Sequence, residues 1–190
     1  MPRLTRDVFV EQTCKLLNER GRTDFSLSDV LQSCGAQKGS LYHFFPEGKD
    51  ELVVAAVGHL SDCAFAHVQS CLETKSTVAS AVYKQLNDLA NWIEAREHLT
   101  AIPFSAIAAI TGGANVEVES ACKQALARIE SLYFGKLKSD GLSSSKAKSV
   151  ATFIVVTTEG AFLLSKLHQS DQPLRLAATN LRAFVSNQFD

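Results

Sequence analysis

Apolar residues recur along this chain at three- and four-residue spacing from end to end, with no alternating strand pattern between turn signals, and that period belongs to helices. The first predicted helix runs from about Thr5 to Arg20, where Phe9, Val10, Thr13, Leu16 and Leu17 share one face, and Gly21 ends it. Ser26 is placed as an N-cap, with Asp29 three residues on as a weaker form of the capping box. Leu27, Val30, Leu31 and Cys34 then stripe a short second helix, closed by Gly35 where a left-handed residue stops a helix. A two-turn third helix covers about Gln37 to Phe45 and turns Leu41, Phe44 and Phe45 inward. Pro46-Glu47-Gly48 breaks the pattern before a long fourth helix, about Lys49 to Glu73, with an inward stripe of Val53, Val57, Leu60, Ala64, Val68 and Cys71. Further helices are predicted at about Val78 to Glu94, Phe104 to Ile110, Val116 to Ser139, Ser144 to His168 and Pro173 to Gln188, divided at Lys75-Ser76, Pro103, Gly112-Gly113, Asp140 to Ser143 and Asp171 to Pro173. The fold class is all-α.

Composition narrows this little. A chain of 190 residues with 46% hydrophobic content can bury a real core. The charged N-terminus leads into no apolar run of signal-peptide kind, and no stretch reaches the roughly 18 consecutive apolar residues of a membrane helix, so a cytoplasmic chain with no membrane partner is expected. Cys14, Cys34, Cys63, Cys71 and Cys122 are odd in number and form no CxxC pair, which points to reduced thiols rather than a disulfide framework or zinc ribbon. The net charge of -1 leaves nucleic acid open as a partner, because a DNA-binding face needs only local positive charge.

The third helix carries the candidate chemistry. Opposite its inward stripe lie Gly39 and His43, with Ser40 and Tyr42 on the flanks. Lys38 suits a phosphate, Gly39 allows close backbone approach, and Ser40, Tyr42 and His43 offer hydrogen-bonding groups to phosphates or base edges. Two short helices joined by a tight glycine turn are the helix-turn-helix arrangement, whose second helix enters the major groove. From spacing alone, a small polar surface helix is an equal reading.

Elsewhere, Phe65, Trp92, Ile93, Phe104, Ile107 and Phe134 are bulky enough to line an apolar pocket, with plain core packing as the alternative for each. His59, Cys63, His67 and Cys71 recur every four residues on the fourth helix, so neighbours pair as i, i+4 metal ligands. Each step advances about 40° around the helix, so the four spread over roughly 120° and cannot converge without residues from elsewhere. Core thiols and surface histidines are therefore the favoured reading, with no metal or cofactor expected. Metal or redox sensing through Cys63, His67 and Cys71 stands as the alternative. "FIVVTTEGAFLL" is apolar nearly all round, and Gly160 within it allows another helix close, which predicts burial on more than one side. No nucleophile–base pairing, phosphate-cradling loop or paired carboxylates occur at a convincing position, so the chain is not read as an enzyme; Glu159 is the one odd carboxylate.

"FSLSDVLQSCGAQKGSLYHFFPEGKDEL" resembles the N-terminal helix-turn-helix of TetR-family transcriptional regulators, with its glycine turn, K-G-S/T-L-Y recognition helix and Lys-x-x-Leu entry into a long fourth helix. "IPFSAIAAI", "EGAFLLSKL" and "PLRLAATNLRAF" resemble the C-terminal domain of the LmrA/YxaF branch. The resemblance implies a DNA-binding domain at 1–48 and an effector-binding and dimerisation domain at 49–190. It puts Gln37, Lys38, Gly39, Ser40, Tyr42 and His43 at the DNA, with Lys49 on a phosphate and backbone contacts from Ser26 and Ser28. The recognition helix departs from the family pattern by ending His43-Phe44-Phe45, and Gly48 adds a residue before Lys49, as in that branch. The resemblance further implies an effector pocket among the middle helices, for which a small hydrophobic molecule is expected. It also implies a homodimer through the last two long helices, at Phe153, Val156, Gly160, Leu164, Leu181 and Phe184. The function it implies is a ligand-responsive repressor that leaves a pseudo-palindromic operator when its effector binds; a constitutive DNA-binding protein is a further alternative.

Overall fold

The structure, a computed structural model, describes residues 5–20, 25–95, 103–111 and 115–189. Among these the elements run α1 (Arg6–Arg20), α2 (Leu27–Cys34), α3 (Lys38–Phe44), α4 (Lys49–Thr74), α5 (Val78–Glu94), α6 (Phe104–Thr111), α7 (Val116–Ser139), α8 (Ser144–His168) and α9 (Gln172–Ser186). No strand occurs among the described residues. The expected breaks at Gly21 and Gly112-Gly113 lie outside them.

The chain divides into two compact units, Met1–Asp62 with His98–Ala125, and Cys63–Glu97 with Leu126–Asp190. This cut by packing differs from the one at residue 48: the first turns of α4, all of α6 and the start of α7 belong with α1 to α3.

In the first unit the stripe of α1 is buried as its periodicity requires, from Phe9 to Leu17. Phe9 meets Phe44 at 6.0 Å and Phe45 edge-on at 6.3 Å between ring centroids, and Leu41 closes the cluster. Each such fully buried side chain contributes about 1.5–3 kcal/mol. Phe45 lies one residue past the end of α3, with φ -136° and ψ 76°, yet its ring stays in the core. Along α2 only Val30 is fully buried; Leu27, Leu31 and Cys34 are half-buried, because an eight-residue helix has little face to hide.

In the second unit α5 is sandwiched by its apolar face against α9 and α8, with Leu86, Ala90, Ile154, Leu174 and Ala178 in the core. The Tyr133 hydroxyl donates to Gln85 Oε1 inside this core, joining α7 to α5. At the surface Arg175 of α9 reaches Asn87 Oδ1 at 3.3 Å, Asn91 Oδ1 at 3.1 Å and Glu94 Oε2 at 2.9 Å along α5. Pro173 sits in the first turn of α9, where a missing N–H costs no helical bond. The helix accordingly begins at Gln172, one residue before the expected start, and stops at Ser186.

Although no consecutive apolar run reaches membrane length, α4 and α8 as whole helices are long and apolar enough by composition to cross a bilayer. Both instead supply core residues: Val53, Val57 and Leu60 of α4 in the first unit, Val68 and Cys71 of α4 and Val150, Ala151 and Ile154 of α8 in the second.

Candidate nucleic-acid interface

Both ends of α2, and with them the turn into α3, are set by local chemistry. At its entry the Ser26 hydroxyl accepts from Asp29 N at 3.2 Å while the Asp29 carboxylate accepts from Ser26 N at 2.7 Å, a full capping box rather than a weakened one. At its exit Gly35 adopts φ 60° and ψ 33°, Gly35 N bonds Gln32 O at 3.2 Å and Ala36 N bonds Leu31 O at 2.9 Å. That is the Schellman pair, and its left-handed residue is cheap only for glycine. The chain then enters α3 at an extended Gln37, and the buried Leu41 fixes which face of α3 points out.

That outward face carries Gln37, Lys38, Gly39, Tyr42 and His43, all exposed, with Ser40 half-buried beside them. A side chain at Gly39 would meet nothing within 4 Å, so this strip has open space above it. Lys38 Nζ lies 5.6 Å from the Tyr42 ring centroid, which props the ammonium at the start of the helix. Tyr42 in turn lies over Gly48, whose φ of 78° makes the bend into α4. His43 stands edge-on to Phe44 at 5.0 Å, so the apolar ring at position 44 braces the histidine and the cluster around Phe9 at once.

Two of the residues expected at the DNA, Ser26 and Lys49, have side chains engaged within the chain. The Ser26 hydroxyl is engaged by Asp29 on both its donor and acceptor sides, with 2.7 Å to Oδ2, whereas Ser28 is exposed. Lys49 is half-buried and lays its ammonium 4.8 Å from the Phe25 ring centroid. Arg6, which sequence reasoning did not single out, stacks 5.0 Å over Phe45 at the start of α1. Its only sequence signal is position in the first turn.

On α8, one face of the helix is open: Phe153, Val156, Leu163, Leu164 and Leu167 are exposed, and Gly160 lies among them with nothing near its would-be Cβ. Within a single chain this helix is buried on one side: Val150, Ala151, Ile154 and Phe162 face inward and the other stripe is bare. Phe153 and Phe184 pair at 4.7 Å, which joins α8 to the exposed face of α9. Leu181, expected on that face, is 1% exposed and packs in the core instead; Leu176, five residues earlier and 65% exposed, points outward. Leu163, Leu167 and Leu176 were missed, although Val156, Gly160, Leu163 and Leu167 follow helical spacing.

The six pocket candidates are divided between the units. Phe104 and Ile107 are core residues of the first, while Phe65, Trp92, Ile93 and Phe134 are half-buried in the second. Arg128 covers the Phe65 ring at 4.8 Å and Lys138 the Phe134 ring at 5.8 Å. A groove of about 370 Å³ in the second unit is bordered by Lys75, Tyr83, Lys84, Asp88 and Arg182, and none of the six lines it.

The thiols and histidines of α4 separate likewise. His67 and Cys71 come together, Nε2 to Sγ 3.8 Å, and the partner that their own helix could not supply is Asp88 of α5, whose Oδ2 lies 3.3 Å from His67 Nε2. Sequence reasoning missed Asp88 because nothing local links it to α4. Burial pushes the Cys71 thiol up from its ordinary value, more than Lys84 nearby pulls it down. A raised thiol pKa disfavours the reactive thiolate that a redox sensor needs.

Comparison with known proteins matches residues 9–56 to "Bacterial regulatory proteins, tetR family" and residues 78–180 to "Transcriptional regulator LmrA/YxaF-like, C-terminal domain". The chain is 28% identical over 170 residues to the HTH-type transcriptional regulator LmrA of Bacillus subtilis, covering 90% of each. It is 26% identical over 181 residues to the uncharacterized HTH-type transcriptional regulator YxaF of the same organism, covering 95% of each. Among solved structures, reduced Escherichia coli NemR superposes with a TM-score of 0.81 at 19% identity, over 93% of this chain and 94% of that one. A TetR transcriptional regulator from Chloroflexus aurantiacus does so at 0.80 and 20% identity, over 95% and 93%.

Proposed function

Because the chain belongs to the TetR family of bacterial transcriptional regulators, with an LmrA/YxaF-like C-terminal domain, we propose that it is a homodimeric repressor whose grip on a pseudo-palindromic operator is loosened by a small hydrophobic effector. The observation that carries this reading is the outward strip of α3, where Lys38, Gly39, Tyr42 and His43 stand exposed beside a glycine turn. Lys38 takes a phosphate, Gly39 admits the backbone closely, and Tyr42 and His43 meet base edges, with Gln37 and Ser40 alongside. Ser28 faces the backbone near the N-terminus of α2. Ser26 contributes through its main chain, since its hydroxyl is held by Asp29. Lys49 reaches a phosphate only by leaving the Phe25 ring. Residues 1–48 are the DNA-binding part and 49–190 the effector-binding and dimerisation part, working in the cytoplasm.

The bare faces of α8 and α9 support a two-fold dimer, which sets two copies of α3 on half-sites about 34–36 Å apart. Phe65, Trp92, Ile93 and Phe134 are the positions in the second unit at which an apolar effector is taken. Coupling of about 1–3 kcal/mol between effector and operator corresponds to roughly 5- to 150-fold weaker DNA binding.

The test is selection of DNA from a random pool followed by fluorescence anisotropy on the selected duplex. A palindromic sequence bound by two chains, lost with Lys38→Ala and His43→Ala together, is the expected result. Selection of no sequence would remove the operator reading. Titrating the complex with a panel of planar aromatic and lipophilic compounds then tests the effector, and constancy of DNA affinity across the panel would leave a constitutive binder.

A further inference from the structure

The geometry points to a divalent metal site of the zinc class, formed by His67 Nε2 and Cys71 Sγ of α4 and Asp88 Oδ2 of α5, beside Trp92 but with none of the apolar effector positions proposed above as a ligand. Its three ligand atoms all lie within 4.8 Å of one another. Zinc bonds of about 2.0–2.3 Å at tetrahedral angles put nitrogen and oxygen about 3.3 Å apart and nitrogen and sulfur about 3.6 Å apart. The observed separations are 3.3 Å for His67 to Asp88 and 3.8 Å for Cys71 to His67, so the ion needs shifts of only tenths of an ångström there.

The donor set is one imidazole, one thiol and one carboxylate, a mixture that suits a borderline ion and neither calcium nor magnesium. His67 and Asp88 side chains are each 22% exposed, and Asp88 lines the groove of about 370 Å³, so ions have a way in and a fourth position is open to solvent. Outer contacts hold the ligands. The His67 ring rests against Trp92 at 4.9 Å, and Lys84 Nζ sits 2.6 Å from Asp88 Oδ2. The Lys84 ammonium thus occupies the carboxylate in the ion's absence, and it lies on a long, partly exposed side chain able to swing away.

Binding balances simply. The metal forms bonds to Nε2, Sγ and Oδ2; Cys71 releases its thiol proton to solvent; Lys84 leaves Asp88 with its own proton; no electron moves. An ion held here ties α4 to α5 within the second unit by direct bonds, where without it His67 Nε2 and Asp88 Oδ2 only approach to 3.3 Å.

The test uses the full chain, freed of metal and kept reduced, titrated with cobalt(II) as a coloured stand-in. One equivalent per chain should produce thiolate-to-cobalt charge transfer and visible bands of tetrahedral strength, both bleached by zinc. Zinc alone should change the emission of Trp92, the chain's single tryptophan. Cys71→Ser should abolish the charge-transfer band and Asp88→Asn should weaken binding at least about tenfold, whereas Cys63→Ser should leave both unchanged. Lys84→Met supplies a test that does not depend on damaging a core position: removal of the competing ammonium should tighten cobalt binding several-fold. No charge-transfer band at millimolar cobalt, a band that survives Cys71→Ser, or no gain from Lys84→Met would overturn the site.

Discussion

Leu167 gives the sharpest test of assembly. It is 74% exposed at the end of the bare stripe of α8, and Val116 on α7 is equally exposed in the other compact unit. Replacing Leu167 by Ala removes three carbons, which at about 0.8 kcal/mol per buried carbon is about 2.4 kcal/mol when burial is complete. With 74% of the side chain still free to be covered, the loss on dimerisation is about 1.8 kcal/mol per protomer. A two-fold interface repeats every contact, so the dimer loses about 3.5 kcal/mol. At about 1.4 kcal/mol per tenfold, the dimer dissociation constant rises a few hundred-fold. Sedimentation velocity over a dilution series reads this constant directly. Val116→Ala, with the same exposure off the α8–α9 face, should leave it within a few-fold. Equal constants for Leu167→Ala and wild type, or a chain that is monomeric at micromolar concentration before any substitution, would refute the assignment of this face.

Other consequences concern the DNA face and the second unit. Lys38→Ala should weaken binding to all duplexes alike and make the plot of log affinity against log salt shallower by about 0.9 per bound protomer; an unchanged slope would mean that Lys38 meets no phosphate. Tyr133→Phe leaves Gln85 Oε1 buried without its donor, and a urea titration should report about 1–3 kcal/mol of lost stability. Retained stability would show that Gln85 finds another partner. Burial pushes the Glu130 carboxyl up, but Lys148 Nζ at 2.8 Å and the Thr152 hydroxyl outweigh it, and the group sits below its ordinary value of 4.5. A depressed carboxyl adds stability that is full above pH 4.5 and is lost as pH falls through its lower folded value. Melting in acid should therefore be less pH-dependent in Glu130→Gln, and identical acid profiles would contradict the linkage.

How far the chain was legible depended on whether the deciding interaction was local. The capping box of Ser26 and Asp29 and the left-handed Gly35 are complete within four or five residues, so the two ends of α2 could be read from the sequence. The α8 stripe was legible as apolar but not as bare, because periodicity reports a face and not what covers it. On α9 the same limit exchanged Leu181 for Leu176: both are apolar, and only packing against α5 and α8 decides which leucine goes inward. The α4 ligands show the limit most directly. Four-residue spacing brings His67 near Cys71 and correctly denies that one helix can gather all four candidates. The atom that closes the set belongs to Asp88, on the next helix, and its approach to 3.3 Å is a product of how α4 and α5 pack. A periodicity argument is confined to one helix, so it can state that a site needs an outside ligand but not which residue provides it. That is why this cluster, discounted from spacing, carries the strongest chemistry outside the DNA-binding face.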